Sequence, residues 1–368
     1  MASQPTTRPE TWVPAGAERG GAPAAAPSGS ATATQGPAAR RAPSVPRPPK
    51  ESREPEPKRA SSVVRRLADM RWAVLGIAVP WGWYLVRDLG PTMQLVAFAL
   101  PLVVAASLIG LIVAAFDGKR ITTVLVAISV ASFGWVTIVG PRSAQPSPLP
   151  DDPVRVATIA TGDRPLDTKA LAAAVTRSRA DVVVIASPSK RLREAASGLK
   201  GFEARLVRAP FVVLSRFPVE ELPLAKGLPK DLTIRVRIQR PGGAFILYGV
   251  DSGTSPLDAT LHTPVHPDRL RNAITTEELP VVLLGDLGIT DRSTEYRDLI
   301  EVLRDAMRAG GSAQSTLVSP IWTPLLLRVD HVLTWASWCA RGGESFDVPG
   351  SDHVGLSVAV GVCPTRGA

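Results

Sequence analysis

Three uncharged hydrophobic runs stand close together before residue 140, and they constrain this chain more than any other feature of its sequence. They extend from Trp72 to Val86, from Leu95 to Phe116 and from Ile121 to Val139. The second and third are long enough to cross, as helices, a hydrocarbon core of roughly 30 Å. The first is shorter, but its Trp and Tyr side chains are typical of the headgroup region. We therefore predict three transmembrane helices over residues 61–140, in preference to buried helices of a soluble core, with the lipid bilayer as their partner.

The positions of Lys and Arg give these helices a direction. The net charge of +9 and the pI near 10 are compatible with nucleic-acid binding. However, the basic residues gather beside the first run and before the third: Lys58, Arg59, Arg65, Arg66, Arg71, Lys119 and Arg120. Such residues concentrate on the cytoplasmic side of membrane helices. We therefore predict a multi-pass protein of the cytoplasmic membrane with a cytoplasmic N-terminus. Its C-terminal domain is then extracytoplasmic, and nucleic acid is not its expected partner.

The rest of the chain divides by composition. Residues 1–60 are rich in Ala, Pro, Ser, Gly and basic side chains but poor in aliphatic ones, so we predict a disordered tail. Residues 141–153 are rich in Pro and predict a semi-rigid linker. Residues 154–363 alternate strand-like apolar runs with helix-like segments, among them a helix over Glu295–Met307. This alternation predicts a mixed α/β domain.

Polar side chains appear abruptly at the ends of three apolar strands of this domain. Asp286 follows one strand, Asp330 and His331 begin a second, and Asp352 and His353 precede the last. A carboxylate in such a place can bind a divalent cation or orient a water, and an imidazole beside it can stabilise charge on a phosphoryl oxygen. Each motif alone is also typical of a cap or a turn.

Together, the motifs resemble those of the endonuclease/exonuclease/phosphatase superfamily, the fold of the DNase I-like nucleases and inositol phosphatases. Residues 283–288 are similar to its Gly-Asp-Phe-Asn motif, residues 324–333 to its Asp-His strand, residues 350–353 to its Ser-Asp-His motif and residues 214–218 to another family segment. With the three spans in front, the architecture resembles a membrane-bound bacterial subgroup that includes teicoplanin-resistance-associated proteins. The resemblance implies a four-layer α/β/β/α sandwich and phosphoester hydrolysis that depends on Mg²⁺ or Mn²⁺.

The chain departs from this family pattern at several positions. Ala160 and Ser187 stand where the family has, respectively, an Asn and the Glu that holds the magnesium ion. Asp251 replaces a central His, and Gly288 replaces the Asn of the Gly-Asp-Phe-Asn motif. A neutral hydroxyl is a poor ligand for Mg²⁺. Asp251 introduces a carboxylate from a new direction.

The sequence leaves two hypotheses open. The first is a partly eroded, metal-dependent phosphoester hydrolase that acts on envelope or lipid-linked phosphates and uses Mg²⁺ or Mn²⁺. The second is a non-catalytic binding or scaffold pseudoenzyme of the cell envelope, which needs no metal. For the first, the resemblance implies catalytic Asp286, His353, Asp352 and Asp330, metal-ligating Asp251 and Asp352, and binding residues His331, Ser215 and Arg216.

Cys339 and Cys363 are the two cysteines of the chain. They can pair in an oxidising exterior. As neighbours on the last two antiparallel strands, however, they are expected at different positions along the strands, which disfavours a bond, and the sequence leaves their pairing open.

Overall fold

The computed structural model describes residues 78, 80–85, 91–116, 120–162, 166–253, 265–311, 313–320 and 323–364. The predicted disordered tail lies outside the described residues, as does most of the first hydrophobic run.

Apolar helices precede the domain. Helix α1 spans Pro91–Phe116 and helix α2 spans Arg120–Gly134, which continues as a π-helical turn at Trp135–Val139 and a 3₁₀ turn at Gly140–Arg142. Residues 80–85 form a further helical segment. The rings of Trp81 and Trp83 in this segment pack edge-on against Phe133 of α2. These apolar contacts join the segment to the end of α2 that leads into the domain.

One described helical stretch, Thr123–Arg142, is long and apolar enough to cross a membrane. The apolar helix within α1 that comes nearest to the same description, Val96–Ile109, is shorter than the roughly 20 residues that a span requires. The prediction of three transmembrane helices is therefore not supported within the described part of the chain. The difference arises because most of the first run, and the side chains at both ends of α1, lie outside the described residues.

The described residues that follow form an α/β domain, as the sequence predicts. Its strands are β1 Asp151–Ala160, β2 Val182–Ala186, β3 Ala204–Arg208, β4 Phe211–Ser215, β5 Val219–Glu221, β6 Thr233–Ile238, β7 Phe245–Asp251, β8 Val281–Asp286, β9 Leu303–Asp305, β10 Asp330–Trp335, β11 Trp338–Phe346 and β12 Gly355–Val362. Its helices are α3 Thr168–Ser178, α4 Lys190–Ser197, α5 Pro267–Thr275, α6 Thr294–Val302 and α7 Ala306–Ala309, with a 3₁₀ turn at Thr323–Leu325.

These strands form two six-stranded sheets. The first has the order β11-β12-β1-β2-β4-β3 and the second the order β5-β6-β7-β8-β10-β9. One apolar cluster lies between the sheets, a second joins the first sheet to α3 and α4, and a third joins the second sheet to α5 and α6. Three clusters between four layers give the α/β/β/α sandwich of a DNase I-like fold.

Strand β7 shows why the strands of this domain are continuously apolar. Each of its residues is buried. Phe245 and Leu247 lie in the cluster between the sheets, whereas Ile246 and Tyr248 lie in the cluster under the helices. Successive side chains of a strand point to opposite faces, so a strand that is covered on both faces must be apolar at every position.

The predicted helix over Glu295–Met307 is wrong in its second half. Helix α6 ends at Val302, and residues 303–305 form strand β9, which pairs with β10. Asp305 explains the break, because both of its oxygens accept hydrogen bonds from the buried guanidinium of Arg328, at 2.6 and 2.9 Å. Its Oδ1 also accepts from the backbone N–H groups of Met307 and Arg308, which starts the new helix α7.

Cys339 and Cys363 form a disulfide, which answers the question that the sequence leaves open. Cys339 lies opposite Gly361 in the pairing of β11 and β12, two residues before Cys363. Positions two apart on a strand share a face, and the Cα atoms of the two cysteines are 4.8 Å apart. This separation lies within the range of disulfides, so the offset in height does not prevent the bond.

Candidate active site

Three carboxylates meet at one edge of the second sheet. Asp251 ends β7, Asp286 ends β8 and Asp330 begins β10. Asp251 is the parallel partner of Asp286, and Asp286 is the antiparallel partner of Asp330. All three side chains are buried. Because neighbouring strands lie about 4.8 Å apart, motifs far apart in sequence form one acidic cluster.

Gly285 allows this edge to form. Its φ is +128°, a conformation that side chains rarely adopt, and a Cβ here would overlap the carbonyl oxygen of Val250 on the neighbouring strand. The glycine of the Gly-Asp motif therefore brings β7 and β8 together directly before Asp286.

Asp286 is held by two donors. The hydroxyl of Ser252 donates to its Oδ2 at 2.7 Å, and the backbone N–H of Gly288 donates to its Oδ1 at 2.8 Å. Burial, followed by the charge of Asp330, raises the pKa of Asp286 to about 7, against the opposing effect of His353. A carboxyl group with such a pKa exchanges protons near neutral pH, as a general base or acid must.

His353 forms the strongest ionic contact of the site. Its Nδ1 donates to Oδ2 of Asp330 at 2.7 Å. Burial alone would lower the pKa of His353, but the charge and hydrogen bond of Asp330, together with Asp286 and Asp352, raise it to about 10. The imidazole is therefore a cation at neutral pH. The backbone N–H of His353 also donates to the hydroxyl of Ser351, at 3.0 Å.

Asp251 contacts the residue that replaces the family's metal-ligating Glu. The hydroxyl of Ser187, which follows β2 in the first sheet, donates to Oδ2 of Asp251. The backbone N–H of Gly253 donates to its Oδ1 at 3.1 Å. Burial raises the pKa of Asp251 above its ordinary value, against these hydrogen bonds. Both oxygens of Asp251 thus accept hydrogen bonds from the protein.

Asp352 lies on the other side of the imidazole. Its Oδ1 is 4.0 Å from Nε2 of His353 and makes no hydrogen bond within the described residues. Gly162 lies directly against it, because a Cβ on that glycine would overlap Oδ1 of Asp352. Asp352 and Asp330 therefore flank His353 at its two ring nitrogens.

The structure does not bring the three predicted binding residues to this cluster. His331 points to the opposite face of β10 from Asp330, where its Nε2 contacts the carbonyl oxygen of Ile289 at 3.0 Å and its ring lies 4.8 Å from that of Tyr296. Burial, followed by the charge of Arg328, lowers the pKa of His331 to about 4, so the ring is neutral. We assign it to packing.

Ser215 and Arg216 lie at the far end of the first sheet. Ser215 pairs with Val182 at the start of β2, whereas Ser187 follows the end of that strand. Its hydroxyl accepts a hydrogen bond from the backbone N–H of Phe217, at 2.9 Å. Arg216 lies 3.4 Å from Asp181 and is largely exposed. The two residues therefore cap a turn away from the acidic cluster.

A family model described as the Endonuclease/Exonuclease/phosphatase family matches residues 159–353, more than half of the chain. The chain belongs to this family.

Several solved structures are similar. An endonuclease/exonuclease/phosphatase from Beutenbergia cavernae is 22% identical, with a TM-score of 0.42 over 57% of this chain and 72% of that one. Truncated TDP2 from Caenorhabditis elegans is 15% identical, with a TM-score of 0.46 over 58% of this chain and 100% of that one. The mannosyl-6-phosphatase Bt3783 from Bacteroides thetaiotaomicron is 12% identical, with a TM-score of 0.39 over 56% and 99%. No curated protein matches.

The described side chains do not fit the magnesium site that the endonuclease/exonuclease/phosphatase pattern implies. Within the described residues, no three His, Cys, Asp or Glu side chains are grouped so as to hold a metal ion. Ser187 uses its hydroxyl on Asp251, and Asp352 is separated from Asp330 by the imidazole of His353. A hard cation requires several oxygen ligands around one point. Metal ligation by Asp251 and Asp352 therefore stays a prediction that this arrangement does not support.

Sequence reasoning missed the residues that support the catalytic side chains. Thr316 accepts hydrogen bonds from the backbone N–H groups of Val329 and Asp330, at 3.0 and 3.1 Å, and thereby positions the start of β10. Ser252 has the opposite role, because its hydroxyl donates to the carboxylate of Asp286. A single hydroxyl in a loop gives no signal in one sequence. Ser351, by contrast, belongs to the Ser-Asp-His motif and was open to prediction.

Proposed function

We propose that this chain is a membrane-anchored phosphoester hydrolase whose domain acts outside the cytoplasm on a lipid-linked or other envelope phosphate. The observation that carries the proposal is the ion pair of His353 and Asp330 beside Asp286, whose pKa is close to 7. This group combines a cation for the phosphoryl oxygens with a base for the attacking water.

The chemistry follows from the two pKa values. Ionised Asp286 accepts a proton from water as the water oxygen bonds to phosphorus. The ester P–O bond breaks, and the leaving oxygen takes a proton from Nε2 of His353, while Asp330 holds the ring through Nδ1. General acid–base catalysis of this kind contributes roughly 10²–10⁴-fold. No step is assigned to a metal ion, because the described donors do not fit one.

The position of α1 supports a lipid-linked substrate. Phe98 of α1 forms an apolar cluster with Leu317, Val329 and neighbouring residues. Leu317 pairs with His353, and Val329 precedes Asp330 in the chain. The catalytic pair is therefore next to the segment that a membrane helix packs against, where a lipid-linked phosphate would arrive.

The surface of the helices supports the membrane anchor. Most large apolar side chains exposed among the described residues belong to them: Leu85, Leu102, Leu108, Ile109, Ile112, Val124, Leu125, Ile128, Trp135 and Val139. Large contiguous apolar patches are rare on soluble proteins, and they mark surfaces that contact membranes or other proteins. The resemblance to the membrane-bound subgroup with teicoplanin-resistance-associated proteins agrees with this anchor.

The Cys339–Cys363 disulfide supports an extracytoplasmic domain, because disulfides persist mainly in oxidising compartments. The placement of Lys and Arg beside the spans supports the same orientation.

A second candidate function is binding of the phosphoester without hydrolysis. The hydrogen bond between Ser187 and Asp251 favours it, since this contact takes up the position at which the family's Glu would hold a metal. Without that metal, stabilisation of the transition state depends on His353 alone. Turnover distinguishes the two candidate functions, because the first hydrolyses the phosphoester and the second only binds it.

A hydrolysis assay tests the proposal. Full-length protein in lipid nanodiscs is given bis(4-nitrophenyl) phosphate in solution or dodecyl 4-nitrophenyl phosphate in the bilayer. We expect turnover in the presence of EDTA, and a loss of roughly 100-fold in Asp286→Asn and in His353→Gln. The matched control Asp268→Asn, an exposed carboxylate on α5, keeps the full rate.

Two outcomes contradict this account. Binding of either ester without release of nitrophenol selects the second candidate. Turnover that disappears in EDTA and returns with Mg²⁺ would mean that the reaction requires a metal ion. The assignment of the chemistry to side chains alone would then be wrong.

A further inference from the structure

A cavity with polar and aromatic lining lies between the helices and the domain, away from the acidic cluster. Its volume is about 250 Å³, and its lining combines the aromatic residues Trp83 and Tyr84 with Arg292, Arg297 and Arg308 of the domain. At roughly 30 Å³ per water molecule, the volume admits a phosphate group with part of an attached alcohol. Neither the family motifs nor the proposed chemistry uses it.

Arg292 brings buried positive charge to this cavity. Its side chain is 2% exposed, and its Nη1 donates to the carbonyl oxygen of Ala97 in α1 at 3.1 Å. Its Nε makes no hydrogen bond within the described residues, and Oδ1 of Asp291 is 3.7 Å away. A buried guanidinium N–H without an acceptor is costly, so an added oxygen acceptor would stabilise it.

The residues that line the cavity include three arginines and one carboxylate. Asp291 is shared by two arginines, because Arg142 also donates to it, at 3.0 Å. The side chain of Arg308 donates to the carbonyl oxygens of Ser143 and Gly140, and no carboxylate among the described residues pairs with it. Arginine clusters with unmatched charge bind phosphate through short, charge-assisted hydrogen bonds.

The cavity lies at the depth expected of lipid headgroups if the helices span the membrane as proposed. Trp83 and Tyr84 belong to the short helical segment over residues 80–85, and Thr137 and Gly140 lie in the last turns of the α2 helix. Trp and Tyr concentrate where membrane helices leave the hydrocarbon region. Helix ends and arginines therefore meet where an anionic headgroup would lie.

We propose that this cavity binds the phosphate of an anionic phospholipid, with Arg292, Arg297 and Arg308 around the phosphate and Trp83 and Tyr84 against the apolar part. The inference rests on the membrane anchor of the proposed function but not on its hydrolytic chemistry. The bound lipid then joins the domain to the bilayer at a second place, besides the peptide chain.

Lipid retention tests the proposal. Full-length protein in detergent is titrated with phosphatidylglycerol or phosphatidylcholine and examined by native mass spectrometry. We expect one phosphatidylglycerol per chain, held at least about 10-fold more tightly than phosphatidylcholine. Arg297→Gln and the cavity-filling Val136→Phe each reduce its retention at least about 5-fold. Arg271→Gln removes an arginine of α5 that pairs with Glu301 of α6, and it leaves retention unchanged.

Val136→Phe removes no hydrogen-bonding side chain, so it keeps the test decisive if Arg297→Gln fails to fold. Equal retention of the two lipids, or unchanged retention in Val136→Phe, overturns the proposal. Displacement of the lipid by inorganic phosphate at equal concentration would show that the cavity binds a soluble phosphate. The proposal of a phospholipid as its ligand would then be wrong. Hydrolysis of bis(4-nitrophenyl) phosphate by the same variants reports separately on the catalytic site, so the two proposals fail independently.

Discussion

Asp286 occupies a position that the fold makes unfavourable for a charge. Its carboxyl group is buried beside the carboxylate of Asp330, and both effects raise its pKa to about 7. Catalytic groups often have shifted pKa values, because the fold places them in surroundings that favour the reaction. The same surroundings do not favour the stability of the fold. The same feature that suits Asp286 to accept a proton therefore lowers the free energy of unfolding.

Asp286→Asn is expected to stabilise the domain near neutral pH while it removes hydrolysis. A carboxyl group whose pKa rises on folding, here from 3.8 to about 7, loses stability as pH increases across that interval. Asparagine does not titrate. The difference in free energy of unfolding between the variant and the wild type therefore grows from pH 4 to pH 7 and then stays constant. A gain of about 1 kcal/mol raises the melting temperature by roughly 2–4 °C for a domain of this size.

Thermal unfolding of the variant, with Asp268→Asn as the matched control, measures this effect. A melting-temperature difference that does not change between pH 4 and pH 7 would contradict the assigned environment of Asp286.

That Asp286, Asp330 and His353 lie together was predictable at the residue scale, but the detailed contacts of the candidate site were not. Asp286, Asp330 and His353 come together as their motifs indicate. Nothing in the sequence indicates that Ser187 and Asp251 touch, because they belong to different sheets and are separated by 64 positions. Adjacency was misleading for His331, since the alternation of a strand turns its ring away from its neighbour Asp330.

At the scale of elements, the buried strands were the easiest to predict. Strands such as β2 and β8 are apolar at nearly every position because both faces are covered. The short strand β3 is harder to predict, since its alternate residues are exposed and its pattern is that of an edge strand. The break between α6 and α7 depends on the contact of Asp305 with Arg328, which lies 23 positions away and leaves no local signal.

The pairing of β11 with β12 carries a disulfide whose loss is expected to destabilise the domain. Cys339 and Cys363 are separated by 24 positions, and closure of a loop of that length stabilises a fold by roughly 3 kcal/mol through the unfolded chain. We expect the double variant Cys339→Ser, Cys363→Ser to unfold at a lower temperature than the oxidised protein. Reduction of the wild-type protein should give the same shift.

Peptide mapping of the non-reduced protein provides the direct measurement for this pair. Two free thiols in protein isolated from its native membrane, or equal unfolding temperatures with and without reductant, would refute the prediction.

At the scale of the whole molecule, buried polar contacts connect the helices to the domain. Arg292 donates to the carbonyl oxygen of Ala97 in α1, and Arg142 at the end of the α2 helix donates to Asp291. Arg292 and Asp291 both lie on the segment that follows Asp286. These contacts tie the segment that follows Asp286 to the helices.

The orientation of this assembly is open to reporter fusions. Alkaline phosphatase, which is active only outside the cytoplasm, is expected to be active when fused after residue 153 and inactive when fused at residue 118, between the second and third predicted spans. Green fluorescent protein should give the opposite pattern. Active phosphatase at residue 118 would reverse the predicted topology and place the domain in the cytoplasm.

The dependence of kcat/KM on pH tests the central claim most directly, because it reports on Asp286 and His353 together. The measurement uses full-length protein in nanodiscs with bis(4-nitrophenyl) phosphate and EDTA, between pH 5 and pH 11. The rate should rise as Asp286 loses its proton near pH 7 and fall as His353 loses its proton near pH 10. A rate that does not vary across this range, or an ester that binds without turnover at every pH, would contradict the account.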